Sequence, residues 1–180
     1  AGSTRLLPIA SGYGTNIYNG SVIAIVGAGT VEIVTDVGNN ADQFPVGVIG
    51  VFVGCTYTDP NLGTVVFRNN WPTGTVADDA QAYIIDDPDV VFMAQADGAV
   101  TQADLGQNTN FAAVQSTTTG DTTNGNSNSA VSSTTATTAT IAFRIVDFVD
   151  SPTSTVGDAF TDLLLKFNAG IHSYTNSTGI

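Results

Sequence analysis

Apolar and polar residues along this chain alternate in short runs, and no stretch repeats them at helical spacing for more than about two turns. Val31 and Ile33 oppose Glu32. Ile141, Phe143 and Ile145 oppose Arg144. Leu163, Leu165 and Phe167 oppose Leu164, Lys166 and Asn168. A period of two is that of a strand with one covered face. On the same grounds strands are predicted over 22–26, 30–35, 46–54, 64–68, 82–85, 90–95 and 141–148. The first two flank "GAG", which suits a hairpin. The segments 82–85 and 90–95 flank "DDPD", whose Asp and Pro residues favour a turn. The one helical candidate is a short turn over 157–161.

Three segments depart from this pattern. In "PVGVIGVFVGCTYTDP" (45–60) both alternating faces are apolar. Val46, Val48 and Phe52 are expected on one side, and Ile49, Val51, Val53 and Cys55 on the other. A strand with two apolar faces is covered on both, and Gly47, Gly50 and Gly54 within it predict a bulge or a close backbone approach. Residues 1–16 read as an extended arm whose apolar knot, Leu6, Leu7 and Ile9, packs on its own domain or grips a neighbouring subunit. Residues 116–140 are Ser-, Thr- and Asn-rich and almost free of large apolar side chains. Such a tract is either a flexible loop or a β-excursion ordered by its neighbours.

These patterns predict an all-β fold: a single-domain β-barrel or β-sandwich, with an extended N-terminal arm (1–16) and a long Ser/Thr-rich excursion. The β domain spans 17–168, the excursion is a loop or hairpin over 116–140, and 169–180 form a C-terminal tail. There is no βαβ alternation, hence no expectation of a nucleotide-binding parallel sheet.

Charge narrows the function. The 180 residues include 16 acids and only four bases, for a net charge of −12. Arg5, Arg68, Arg144 and Lys166 are too few to displace counterions from nucleic acid, so no direct nucleic-acid partner is expected. An anionic membrane would repel the chain, and no apolar run approaches the length of a membrane-spanning helix. No signal-peptide pattern opens the sequence, so synthesis in the cytoplasm is the expectation. A single cysteine excludes an internal disulfide framework.

Candidate chemistry is sparse. The one histidine, His172, sits in "NAGIHSYTNSTGI", a solvated or packed tail and a poor platform for a preorganised base. Cys55 follows an apolar run with no basic neighbour in sequence and reads as a small buried hydrophobe. Zinc needs clustered Cys and His, which the chain lacks. Asp86, Asp87 and Asp89, with Asp78 and Asp79 nearby, could converge oxygen ligands. Their spacing is not that of a calcium loop, and a solvated turn is the expectation. No catalytic, metal or cofactor residue is assigned. In "FRNNWPTG", Phe67, Arg68 and Trp71 are residue types enriched where partners meet, while the plainer reading of Trp71 is a side chain that covers the end of the barrel. With Leu6, Leu7 and Ile9, these three are the candidate subunit or partner contacts.

"PVGVIGVFVGCTYTDP", "NNWPTGT", "AYIIDDPDVVF", "FRIVDFVD" and "VGDAFTDLLLKFN" together resemble segments of small virion proteins of tailed, chiefly marine podovirus-like phages, which act as capsid decoration or cement proteins. The resemblance lies between Pro45 and Asn168 and covers about half the chain. It implies a non-enzymatic protein on the outer surface of the virion capsid, synthesised in the host cytoplasm. It would bridge neighbouring copies of the major capsid protein, and self-association as a homo-oligomer is expected, a trimer favoured over a dimer. The alternative is a carbohydrate- or host-surface-binding β-sandwich module using Trp71, Tyr57 or Tyr83 as sugar platforms.

Overall fold

The computed structural model describes residues 4–39 and 44–180. Residues 1–3 of the expected arm and 40–43 of the expected β domain lie outside them. The fold is all-β, and the described residues form ten strands in two antiparallel sheets. The first sheet contains β1 (Thr4–Pro8), β2 (Val22–Ile25), β3 (Val31–Ile33), β4 (Val48–Thr58), β5 (Val65–Arg68) and β6 (Gln81–Ile85), in the order β1-β6-β4-β2-β3, with β5 added to β4. The second contains β7 (Phe92–Gln95), β8 (Asn108–Thr109), β9 (Phe143–Phe148) and β10 (Asp162–Phe167), in the order β7-β10-β9-β8. Just past β1, Ile9 bridges Val31 of β3. The two outer strands of the first sheet therefore meet, and the sheet is rolled around its own core. No helix among the described residues is long and apolar enough to cross a membrane.

Two hydrophobic cores result. One fills the rolled sheet: Ile9, Ile23, Val31, Ile49, Phe52, Cys55, Tyr57, Trp71 and Ile84 are among its members. The other lies between the sheets, where Val22, Val48 and Val51 meet Phe111, Phe143, Ile145, Leu163, Leu165 and Phe167. The turn after β2 is the hairpin that "GAG" predicts. "DDPD", by contrast, carries the chain from β6 in the first sheet to β7 in the second.

β4 is the hub, pairing with β2, β5 and β6. Its side chains correct the simple alternation. Val48 and Val51 enter the core between the sheets, while Ile49, Phe52, Cys55 and Tyr57 enter the rolled core. Val48 and Phe52, expected on one face, are on opposite ones, as are Ile49 and Val51. Val46 precedes the strand and is exposed. The cause is a pair of bulges. On the β2 side, Ile23 pairs with Gly50 and Ala24 with Val48, so Ile49 is extra. On the β6 side, Ile84 pairs with Phe52 and Tyr83 with Gly54, so Val53 is extra. Each extra residue inverts the parity of the residues after it, and two inversions return Cys55 to the face of Ile49. The bulges the glycines predict are present, with φ of 147° at Gly50 and 142° at Gly54.

Other expectations shift in detail. Residues 157–161 form turns, not a helix, and Gly157 has a φ of 88° that no α-helix accommodates. The short strand β8 and two single 3-10 turns, Gln102–Asp104 and Ser173–Thr175, carry no signal strong enough to read in advance. The arm packs on its own domain: β1 pairs along its length with β6.

The tract 116–140 is ordered by neighbours. Gly120 bridges Ser127, Asn126 bridges Asn19, Val131 bridges both Ala96 and Phe111, and Ala136 bridges Asn108. Buried polar side chains fasten its start. Gln115 Nε2 donates to the carbonyls of Val22 and Val34, and its Oε1 accepts from Val22 N–H. The hydroxyl of buried Tyr18 donates to Thr117 O at 2.7 Å, and a side chain at Gly120 would collide with the Tyr18 ring, 2.3 Å from the Cβ position.

A Cβ on Gly50 would lie 2.0 Å from Ile85 O, at a φ that L residues avoid. Gly50→Ala is therefore expected to destabilise the protein by more than the roughly 1–3 kcal/mol of backbone strain alone. Gly14→Ala, in open space, is expected to be nearly neutral. Urea denaturation of the two variants checks the contrast.

Candidate functional site

The six expected contact residues separate by strand parity. Neighbours on a strand point to opposite faces, so Leu6 parts from Leu7 and Phe67 from Arg68. Leu7 packs against the rolled core and Ile9 is buried in it. Arg68 is held by Asp59 at 3.5 Å. Trp71 is fully buried, its indole N–H donating to Tyr13 O at 3.2 Å and its ring edge-on to Tyr57. Trp71 and Ile9 thus belong to the interior and offer nothing to a partner in this fold. Their sequence context resembles a contact because a barrel interior and an interface select the same residue types.

Leu6 and Phe67 remain on the outer face of the rolled sheet, 50% and 61% exposed. Tyr83 lies between them. It pairs in register with Leu6 on β1 and with Gly54 on β4, and its ring meets Phe67 edge-on at 5.6 Å. Phe67 reaches across β4 because Gly54 leaves room: a Cβ there would lie 2.7 Å from Phe67 Cζ. Val65, two residues before Phe67 on the same face of β5, is 70% exposed. The result is an apolar row across β1, β6, β4 and β5, on a sheet made rigid by pairing and by its core. Sequence reasoning singles out its two ends. Tyr83 as their link was legible only in part, since its alternation with the buried Ala82 and Ile84 places it outside.

The residues weighed for chemistry are engaged elsewhere. Burial pushes the Cys55 thiol up to about 12, against the pull of Arg68. The three acids of "DDPD" diverge: Asp86 accepts from Tyr174 and faces Arg5 at 3.5 Å, Asp87 accepts from Asp89 N–H, and Asp89 pairs with Lys166. Among the described residues no group of three or more His, Cys, Asp or Glu converges as a metal site. His172 is packed, not solvated. Its Nδ1 accepts from Tyr174 N–H, so Nε2 carries the proton and donates to Ile49 O at 2.8 Å. Its carbonyl receives the N–H groups of Thr175 and Asn176. The tail is thereby fastened to the first bulge of β4.

Compared with protein-family models, with curated proteins and with solved structures, the chain gives no match.

Two measurements check these environments. Cys55 should resist thiol reagents at pH 8 in the folded protein and react at the normal rate only on unfolding. Burial also holds the His172 pKa below the ordinary histidine value, outweighing the Ile49 carbonyl and the charges of Asp86 and Asp87, which raise it. A depressed folded pKa means that the unfolded chain binds the proton first. Stability is therefore full above about pH 6.5, the ordinary value, and is lost as pH falls from there through the folded pKa. Urea midpoints should drop between pH 7 and 5, a window that isolates the single histidine, and His172→Gln should flatten that slope.

Proposed function

We propose that the protein is a non-enzymatic structural protein that docks on the outer surface of a phage capsid and bridges neighbouring subunits. The observation that carries this reading is the row Leu6–Tyr83–Phe67: large apolar side chains held outward on a paired, rolled sheet. An exposed apolar row on a rigid platform suits a flat, repeated partner surface. Leu6 and Phe67 are already about half covered, so burying the rest contributes about 1–2 kcal/mol each. A lattice of sites multiplies this by avidity, so weak single contacts are enough. The low proportion of charged residues and the net acidity fit a solvent-facing coat, since few ionised side chains need desolvation on docking. The partner is then the major capsid protein, and self-association, as a trimer before a dimer, is the form such a bridge would take. The sugar-binding alternative draws less support, because two of its three platforms, Trp71 and Tyr57, lie in the interior.

Co-sedimentation with phage capsids stripped of their decoration, read together with size-exclusion and light scattering, tests the proposal. The protein is expected to rebind the shells. Leu6→Ser with Phe67→Ser should weaken rebinding at least tenfold while the melting temperature stays within a few degrees. A strict monomer that ignores capsids would overturn the reading, as would a double variant that rebinds as tightly as the parent.

A further inference from the structure

β7 is the free edge of the second sheet, and strand parity assigns its backbone groups. Ala96 N–H donates to Thr161 O on the β10 side, whereas Gln95 C=O accepts from Val131 N–H on the opposite side. Backbone groups of alternate residues share a side, so Gln95 N–H and both groups of Met93 point away from β10. None of the three has a partner among the described residues.

The tract begins to pair there and then leaves. Val131 receives Asp97 N–H and donates to Gln95 O, one step of a parallel ladder. The next step would bring Ser129 beside Met93. Instead Ser129 N–H turns to Ser127 Oγ, and Ser127 N–H donates to Asn19 O in the segment that leads into β2. The strap 127–131 so spans from the edge of β7 to the segment before β2, leaving an open cleft of about 590 Å³ beside β7. Its inner walls are Val22, Val51, Phe111, Phe143, Leu165 and Phe167. Of its lining residues only Asp162 is charged, and none is basic.

We infer that this cleft takes an extended peptide segment of another chain, which adds as a strand to the edge of β7 and inserts an apolar side chain between the sheets. Three observations fit that occupant. The unpaired Met93 and Gln95 groups match a strand backbone, which a plain apolar molecule would leave unsatisfied. The volume lies in the range of specific binding pockets, about 300–1,000 Å³. The lining Asp162, in a chain of net charge −12, favours basic residues flanking the inserted side chain. The inference is independent of the Leu6–Tyr83–Phe67 row, which lies on the other sheet.

The test uses a labelled peptide of sequence Lys-Thr-Val-Thr-Phe-Thr-Val-Lys, a set of analogues N-methylated at one backbone amide each, and a Glu-flanked analogue. Fluorescence anisotropy with the full chain should give saturable binding of the parent peptide. Affinity should fall at least tenfold for the analogues methylated at alternate amides beside the central Phe, and for the Glu-flanked peptide. Met93→Pro removes an outward donor at an edge, where proline is tolerated, together with a side chain of the cleft lining; it should cost a similar factor, and Met93→Ala, which keeps the donor, should cost clearly less. Ala94→Phe fills the cleft and should abolish binding, with unchanged far-ultraviolet circular dichroism confirming the fold. No binding up to 1 mM would overturn the inference. So would equal affinity for the parent and every methylated analogue, which marks a plain apolar pocket.

Discussion

Everything in this fold turns on how β4 serves two cores at once. It contacts three other strands, and both its faces are buried. A regular strand would send Val48 and Phe52 to the same side. The bulges at Ile49 and Val53 reassign them, so that the rolled core receives Ile49, Phe52, Cys55 and Tyr57 while the core between the sheets receives Val48 and Val51. Glycine is required at both bulges for two reasons. The backbone there adopts φ near +145°, and neighbouring groups, Ile85 O at Gly50 and the Phe67 ring at Gly54, occupy the space of a side chain. The second glycine also sets the outer surface, because the absence of its Cβ lets Phe67 lie across β4 toward Tyr83.

A second feature is the use of neutral polar side chains to fix irregular backbone. Much of the chain lies outside regular strands, and buried polar side chains pair with several of its carbonyl and amide groups. Gln115 joins β2 to the residue after β3, Asn168 Nδ2 donates to the carbonyls of Ala139 and Ile141, and His172 ties the tail to Ile49. Each such group, left unpaired, would cost on the order of 1–3 kcal/mol. A protein with few charges and long loops is held in one conformation by amides, hydroxyls and one imidazole. The Ser- and Thr-rich tract obeys the same logic: it has little apolar surface of its own, so other segments supply its pairing.

The apolar row and the cleft arise from these two features. The row depends on the bulged β4 and on the pairing of β1 with β6. The cleft depends on the tract leaving β7 after a single ladder step to reach the segment before β2. One is a flat face and the other an open edge beside a cavity, which is why the two proposals assign them different partners: a broad surface and a single extended segment.

Strand periodicity was legible wherever one face alone is buried, as at Leu163, Leu165 and Phe167, because a period of two needs only local geometry. The "GAG" hairpin, the all-β class, the bulge signal of Gly50 and Gly54 and the packing role of Cys55 were legible for the same reason. Leu6 and Phe67 could be picked out as contact candidates, but so could Ile9 and Trp71, which are buried. Burial is a property of what lies across the sheet, and residue type is equally apolar in a core and at an interface. The faces of β4 were not legible either, since a run apolar on both sides carries no phase and the extra residues are defined only against β2 and β6. The path of the tract and the anchoring of His172 rest on hydrogen bonds spanning up to 123 residues. Local composition therefore determined the kind of structure, and long-range pairing decided which residues face inward, which face outward and where the edge of β7 stays open.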